Sequence, residues 1–210
     1  SAATISGLFD NFVGDWRSVI LAHTIFMVVT IFIVALGVEK GLERAVRFMV
    51  PALLFLLLIL LFYSITSGSF GEGLKFMFTP DFSALSWDTV LTAMGLAFFT
   101  LSIGMGAIMA YGAYLPDDVS ITNATVSVVI ADTAIAILAG LVIFPLVFAN
   151  GLSPQEGPDL VFKTLPLAFG QMKGGVFLAT IFFVLLSFAA WTSALGLMEP
   201  AVAWIVEKTH

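Results

Sequence analysis

Apolar residues fall into five long stretches, separated by polar or Gly/Pro-rich punctuation: Ser18 to Val38, Ala45 to Ile65, Trp87 to Tyr114, Val126 to Ala149 and Gly174 to Val206. A helix that crosses the hydrocarbon core needs roughly 20 mostly apolar residues, and each stretch reaches that length. The pattern predicts one all-α transmembrane domain over residues 1–210, with five spans and termini on opposite sides of the membrane. The shortest polar connector, Glu39 to Arg47, gathers Lys40, Arg44 and Arg47. The positive-inside rule makes it cytoplasmic. Residues 66–86 and Asn150 to Lys173 then lie outside, although they carry Lys75, Lys163 and Lys173, and the turn Leu115-Pro116-Asp117-Asp118 lies inside. Within Asn150 to Lys173 the apolar run Leu160 to Phe169 is too short to span, which predicts an extracellular helical lid or hairpin on the outer surface.

The third stretch is about eight residues longer than a span requires. Its centre reads Phe98-Phe99-Thr100-Leu101-Ser102-Ile103-Gly104-Met105-Gly106, with two hydroxyls and two glycines where a helix prefers neither. A helix broken between Thr100 and Gly106 is the expectation. Unpaired backbone survives at that depth only where it lines a cavity in the protein. The ends of such a break offer carbonyls to a cation and N–H groups to an anion. Two glycines also suit a close helix contact, so sequence alone leaves that reading open.

Asp132 sits inside the fourth apolar stretch, followed by Thr133 and a run of apolar residues to Gly140. A carboxylate in hydrocarbon costs at least about 2.5 kcal/mol, so it is protonated there or it has a cation. The competing reading starts the helix later and makes Asp132 a cap at its cytoplasmic end. In the fifth stretch Ala189, Thr192, Ser193 and Gly196 recur at spacings of three and four on one narrow face. The Ala189 carbonyl and the Thr192 and Ser193 hydroxyls are hard neutral oxygens that suit sodium; a tight helix contact is again the plainer explanation. His23 stands alone in the first stretch and reads as an interhelical hydrogen-bond donor rather than a site. Glu199-Pro200 is expected to kink the last helix.

Composition sharpens the class. The 210 residues are 60% hydrophobic and 10% charged, and eight Lys+Arg against fourteen Asp+Glu give a net charge of −6. Mean hydropathy is +1.10. Disorder is excluded, and there is no basic stretch for a nucleic acid to occupy. With no cysteine, disulfides and thiolate chemistry are excluded as well. The opening at Ser1, without a charged n-region, predicts no signal peptide and suggests a processed chain or a fragment. No nucleophile–base pair, paired catalytic carboxylates or phosphate-binding loop appears, so the chain does not read as an enzyme.

Three ordered motifs carry a family resemblance: Lys40-Gly41-Leu42-Glu43-Arg44, then Phe98 to Ile108, then Ala189-Ala190-Trp191-Thr192-Ser193-Ala194 followed by Met198-Glu199-Pro200. Together they resemble the neurotransmitter:sodium symporter family, sodium-coupled transporters of amino acids and amines, over helices four to eight. The resemblance implies an inverted repeat of five plus five helices, of which this chain holds the last two of one repeat and the first three of the next. It implies a multi-pass protein of the plasma (inner) membrane that binds an amino acid and sodium as coupling ion, needs no cofactor, and works by alternating access with helices outside this chain.

By the same resemblance Phe99, Thr100, Ser102, Met105, Ser193 and Leu197 would line the substrate pocket. Thr100 and Asp132 would ligate a first sodium, and Ala189, Thr192 and Ser193 a second. Asp132 replaces a commoner asparagine, and Ala136 stands where chloride-dependent relatives carry serine, which implies chloride independence. Met105 in place of the frequent phenylalanine favours a hydrophobic or aromatic amino acid, because a thioether side chain adapts to varied shapes. Gly41 and Pro51 match a spacing linked to unwinding of the fifth family helix. Tyr114 and Glu207 would belong to a cytoplasmic gate, with partners outside this chain. The rival reading is a channel or a structural subunit of a larger membrane complex. A channel needs repeated pore-lining polar positions, whereas these converge near one depth.

Overall fold

The computed structural model describes residues 2–37, 41–66, 69–116, 118–154 and 158–209. Ser1, Val38, Glu39, Lys40, Asp117 and Gly157, which bear on the expectations above, lie outside the described residues. All regular structure within them is helical. Four helices are long and apolar enough to cross a membrane: α2 (Trp16–Ala35), α3 (Glu43–Thr66), α7 (Ile121–Ala149) and α9 (Gly175–Thr209). The third apolar stretch is two pieces, α5 (Trp87–Thr100) and α6 (Ala107–Ala113). At 1.5 Å per residue these measure about 21 and 10 Å, so neither spans alone. The described residues also hold three shorter α-helices, α1 (Ala2–Gly14), α4 (Phe70–Phe78) and α8 (Leu165–Gln171), the last entered through a π-turn over Leu160–Thr164, and a 3-10 turn at Phe82–Ala84.

Helix starts follow from side-chain caps, which satisfy N–H groups that have no helical partner. Asp15 accepts hydrogen bonds from the backbone N–H groups of Arg17 (3.2 Å) and Ser18 (3.3 Å), so α2 begins earlier than its apolar run. The Ser18 side-chain hydrogen bond, ahead of those backbone bonds, holds the Asp15 carboxyl below its usual range. Ser86 and Thr89 form a reciprocal capping box at α5. Ser120 caps α7, accepting from Asn123 N–H at 3.4 Å, and so fixes the start of that helix at Ile121.

The core joins α3, α7, α8 and α9 through Leu57, Leu60, Val142, Leu146, Phe169 and Phe182. Within it, Pro145 has no N–H and cannot satisfy the Leu141 carbonyl one turn earlier. The Ser64 hydroxyl of α3, fully buried, donates to that carbonyl at 2.8 Å. Ser64 thus repairs the proline defect and pins α3 to α7. Ser64→Ala leaves a buried carbonyl unpaired and is expected to destabilise the full-length protein by about 1–3 kcal/mol. Thermal unfolding in detergent checks this, with Ser64→Thr keeping most of the lost stability.

His23 is exposed on α2 and makes no hydrogen bond to another helix of this chain among the described residues.

Candidate functional site

The break between α5 and α6 is built from the backbone outward. Ser102 N–H bonds to the Phe99 carbonyl at 3.1 Å and Ile103 N–H to the Phe98 carbonyl at 2.9 Å. These are the two bonds of a Schellman helix end, which places the residue after the cap in the left-handed region. That residue is Ser102, with φ of +53°, where glycine is usual. Gly104 (φ +89°) and Gly106 (φ +83°) then turn the chain so that α6 can begin at Ala107. Gly106 lies against the Pro200 ring of α9, 3.6 Å from the position a β-carbon would take, so the lower half-helix sits on the proline of its neighbour. The carbonyls of Thr100 and Leu101, at the end of α5, are left without an intrahelical donor.

A serine held in the left-handed region stores strain, about 1–2 kcal/mol, of a kind that accumulates at functional sites. Ser102→Gly should relieve it. The expected outcome is higher thermal stability by about 1 kcal/mol together with weaker substrate binding through loss of the hydroxyl, read by unfolding and by uptake on the same protein.

Asp132 lies about 16 Å along α7 from its first residue and is partly buried. With Ser120 as the cap, the reading of Asp132 as a terminal cap is corrected: the carboxylate is mid-helix. In α9 the chain is helical without interruption through Ala189, Thr192, Ser193, Leu197 and Pro200. The Thr192 hydroxyl donates to the Ala189 carbonyl at 2.9 Å. Ala189 and Thr192 are half-buried, while Ser193 is exposed. Trp191, between them, stacks on Phe26 of α2 at 5.7 Å and ties α9 to that helix. Phe99, Met105 and Leu197 are 70%, 40% and 48% exposed, and α5 buries no residue at all. Thr100 is exposed and Ser102 half-buried. Of the residues expected around substrate, this chain alone therefore leaves Phe99, Thr100, Met105, Ser193 and Leu197 exposed. An apolar cavity of about 390 Å³ lies beside α6 and the start of α7, lined by Leu101, Ile108, Tyr111, Leu115, Ala124 and Val128. None of the expected substrate residues lines it.

At the other end of α6 the Tyr114 hydroxyl donates to Glu199 at 2.7 Å. Glu199 is 3% exposed, and Tyr111 lies against Gly196 on the same face of α9. From sequence the partners of the gate to which Tyr114 and Glu207 belong lie outside the chain; this bond gives Tyr114 a partner within it as well. Glu207, about two turns further along α9, is exposed. The sequence reading gave Glu199 only a place beside the Pro200 kink and missed that it is a buried acceptor. The criterion that singled out Asp132, an acid within an apolar helix, applies to it equally. At the start of α3, Gly41 is buried, its N–H bonds to the Gly37 carbonyl at 2.9 Å, and the helix is wound from there through Pro51.

A model of the sodium:neurotransmitter symporter family matches residues 9–210. The chain is 38% identical over 205 residues to an uncharacterised sodium-dependent transporter, YhdH, of Bacillus subtilis, covering 98% of this chain and 46% of that protein. An uncharacterised sodium-dependent transporter of Haemophilus influenzae is 34% identical over 95% of the chain and 44% of its own length. Among solved structures, the crystal structure of MhsT in complex with L-phenylalanine superposes with a TM-score of 0.86 at 46% identity, over 98% of this chain and 47% of that one. The chain thus spans about half the length of the relatives it matches.

Proposed function

Because the chain belongs to the sodium:neurotransmitter symporter family, we propose that it forms the central helices of a sodium-coupled amino-acid symporter of the plasma (inner) membrane, a transporter rather than an enzyme. The observation that carries the reading is the helix interrupted at Leu101 to Gly106, with Asp132 in the next long helix, α7, away from either helix end. The carbonyls at the end of α5 and the Asp132 carboxylate are, in this reading, the oxygen-rich, net-negative groups offered to a desolvated monovalent cation.

In this reading Thr100 and Asp132 ligate one sodium and Ala189, Thr192 and Ser193 contribute to a second. Phe99, Thr100, Ser102, Met105, Ser193 and Leu197 contact the substrate. Their exposure supports the completion of each site by helices outside these 210 residues. A hydrophobic or aromatic amino acid is the proposed substrate; that MhsT was crystallised with L-phenylalanine is consistent with this. Residues 150–173 form the extracellular lid, and Tyr114, Glu207 and Glu199 close the cytoplasmic side. Alternating access follows from rocking one set of helices against the other around the fixed sites.

The test is uptake of labelled amino acids by the full-length protein in proteoliposomes. Uptake is expected with a sodium gradient and to be flat with potassium in its place; equal uptake in both salts overturns the reading. Replacement of chloride by gluconate is expected to leave uptake unchanged, because the Asp132 charge already balances sodium.

A further inference from the structure

Helix α1 is too short and too polar to span, and the function above gives it no role. Three contacts nevertheless join it to the π-turn Leu160–Thr164 that opens the connection between α7 and α9. The Phe9 ring stacks on Phe162 with centroids 5.1 Å apart and planes 3° from parallel. Phe162 stacks in turn on Phe183 of α9 at 6.2 Å. The Lys163 ammonium bonds to Asp10 of α1 at 3.0 Å and to Asp159 at 3.2 Å, and lies 5.6 Å from the centre of the Phe9 ring. The Lys163 side chain is 25% exposed, against 60% for Asp10 and 51% for Asp159, so the cation is the most enclosed of the three charged groups. Phe9 and Asp10 each lie 153 positions from their partners Phe162 and Lys163 in sequence.

We propose that α1 is a strap that holds the entry of the outer lid against α9, through the Phe9–Phe162–Phe183 stack and the Lys163–Asp10 ion pair. The proposal rests on the reading of residues 150–173 as the extracellular lid. Neither part suffices alone. Exposed ion pairs contribute little by themselves, and a stacked pair somewhat more. Their placement on consecutive residues at both ends, Phe9-Asp10 and Phe162-Lys163, makes one contact of the two, because ordering either positions the other. Asp10, followed by the Lys163–Asp159 pair, holds the Lys163 ammonium above its ordinary value of 10.5. The Lys163 charge is therefore present at physiological pH and is lost only as pH rises through its raised value.

Hydrogen–deuterium exchange on the full-length protein in lipid nanodiscs tests the strap without relying on transport. Phe9→Ala, Asp10→Asn and Lys163→Gln are each expected to speed exchange of peptides from residues 158–171 by roughly three- to tenfold. Peptides from the α3–α7 junction around Ser64 and Leu141 should not change, which separates a loosened strap from a misfolded protein. Asp10→Asn combined with Lys163→Gln should exceed neither single variant by more than about twofold. Unchanged lid exchange in all three single variants, or fully additive effects of Asp10→Asn and Lys163→Gln, overturns the strap. Sodium-dependent uptake by the unmodified protein is measured in parallel; its absence would count against the symport reading and leave the exchange result to be judged on its own.

Discussion

Sodium-driven uptake by the full-length protein is expected to fall at least a hundredfold at subsaturating sodium when Asp132 is replaced by alanine. Asp132 lies mid-way along an apolar helix whose start is fixed by Ser120. A charge at that depth persists only with a partner, and removing one member of a buried pair costs about 3–5 kcal/mol. At about 1.4 kcal/mol per tenfold, the lower end of that range is already a hundredfold in sodium affinity. Asp132→Asn keeps an oxygen for the ion and loses only the charge, so a smaller loss, roughly tenfold, is expected. Adding Ala136→Ser to Asp132→Asn should make uptake respond to chloride, since an external anion can then supply the charge the side chain no longer carries. Sodium titration of uptake measures all three variants, and an Asp132→Ala protein with unaltered sodium dependence would remove Asp132 from the ion site.

The parts of this fold legible from sequence were those written in local chemistry. The break was readable because Ser102, Gly104 and Gly106 are poor helix formers placed where hydrocarbon punishes irregular backbone. The long spans were readable from apolar length alone, yet their starts were not. Asp15 and Ser120 cap α2 and α7 from outside the apolar runs, and a cap depends on backbone direction rather than hydropathy. Helix α1 escaped notice because its role is in its contacts with Phe162 and Lys163, which no pattern within thirteen residues reveals. The repair of the Pro145 defect by Ser64 and the bond from Tyr114 to Glu199 were hidden for the same reason. Each joins residues far apart in the chain, which no local pattern pairs.

Gly41, singled out from sequence for its flexibility, carries the second large effect. From sequence its use is flexibility: with Pro51 it weakens the first turns of α3, so that they can open toward the cytoplasm. The structure adds a steric demand. A β-carbon on Gly41 would lie 1.9 Å from the backbone carbonyl oxygen of Ile33 in α2. That obstacle is backbone and cannot rotate away, so Gly41→Ala must push α2 and α3 apart at their shared corner. The expected result is destabilisation at or above the usual 1–3 kcal/mol of overpacking, together with loss of transport. That outcome alone does not separate packing from unwinding. Pro51→Ala does, because it restores a donor for the Arg47 carbonyl and removes a penalty of up to about 3 kcal/mol from the helix interior. If the first turns of α3 must unwind for sodium to leave, Pro51→Ala yields a more stable protein that turns over several-fold more slowly, with substrate binding preserved. Measured as thermal unfolding, equilibrium binding and uptake rate on one preparation, an unchanged turnover would leave Gly41 as a packing residue and remove unwinding from the mechanism.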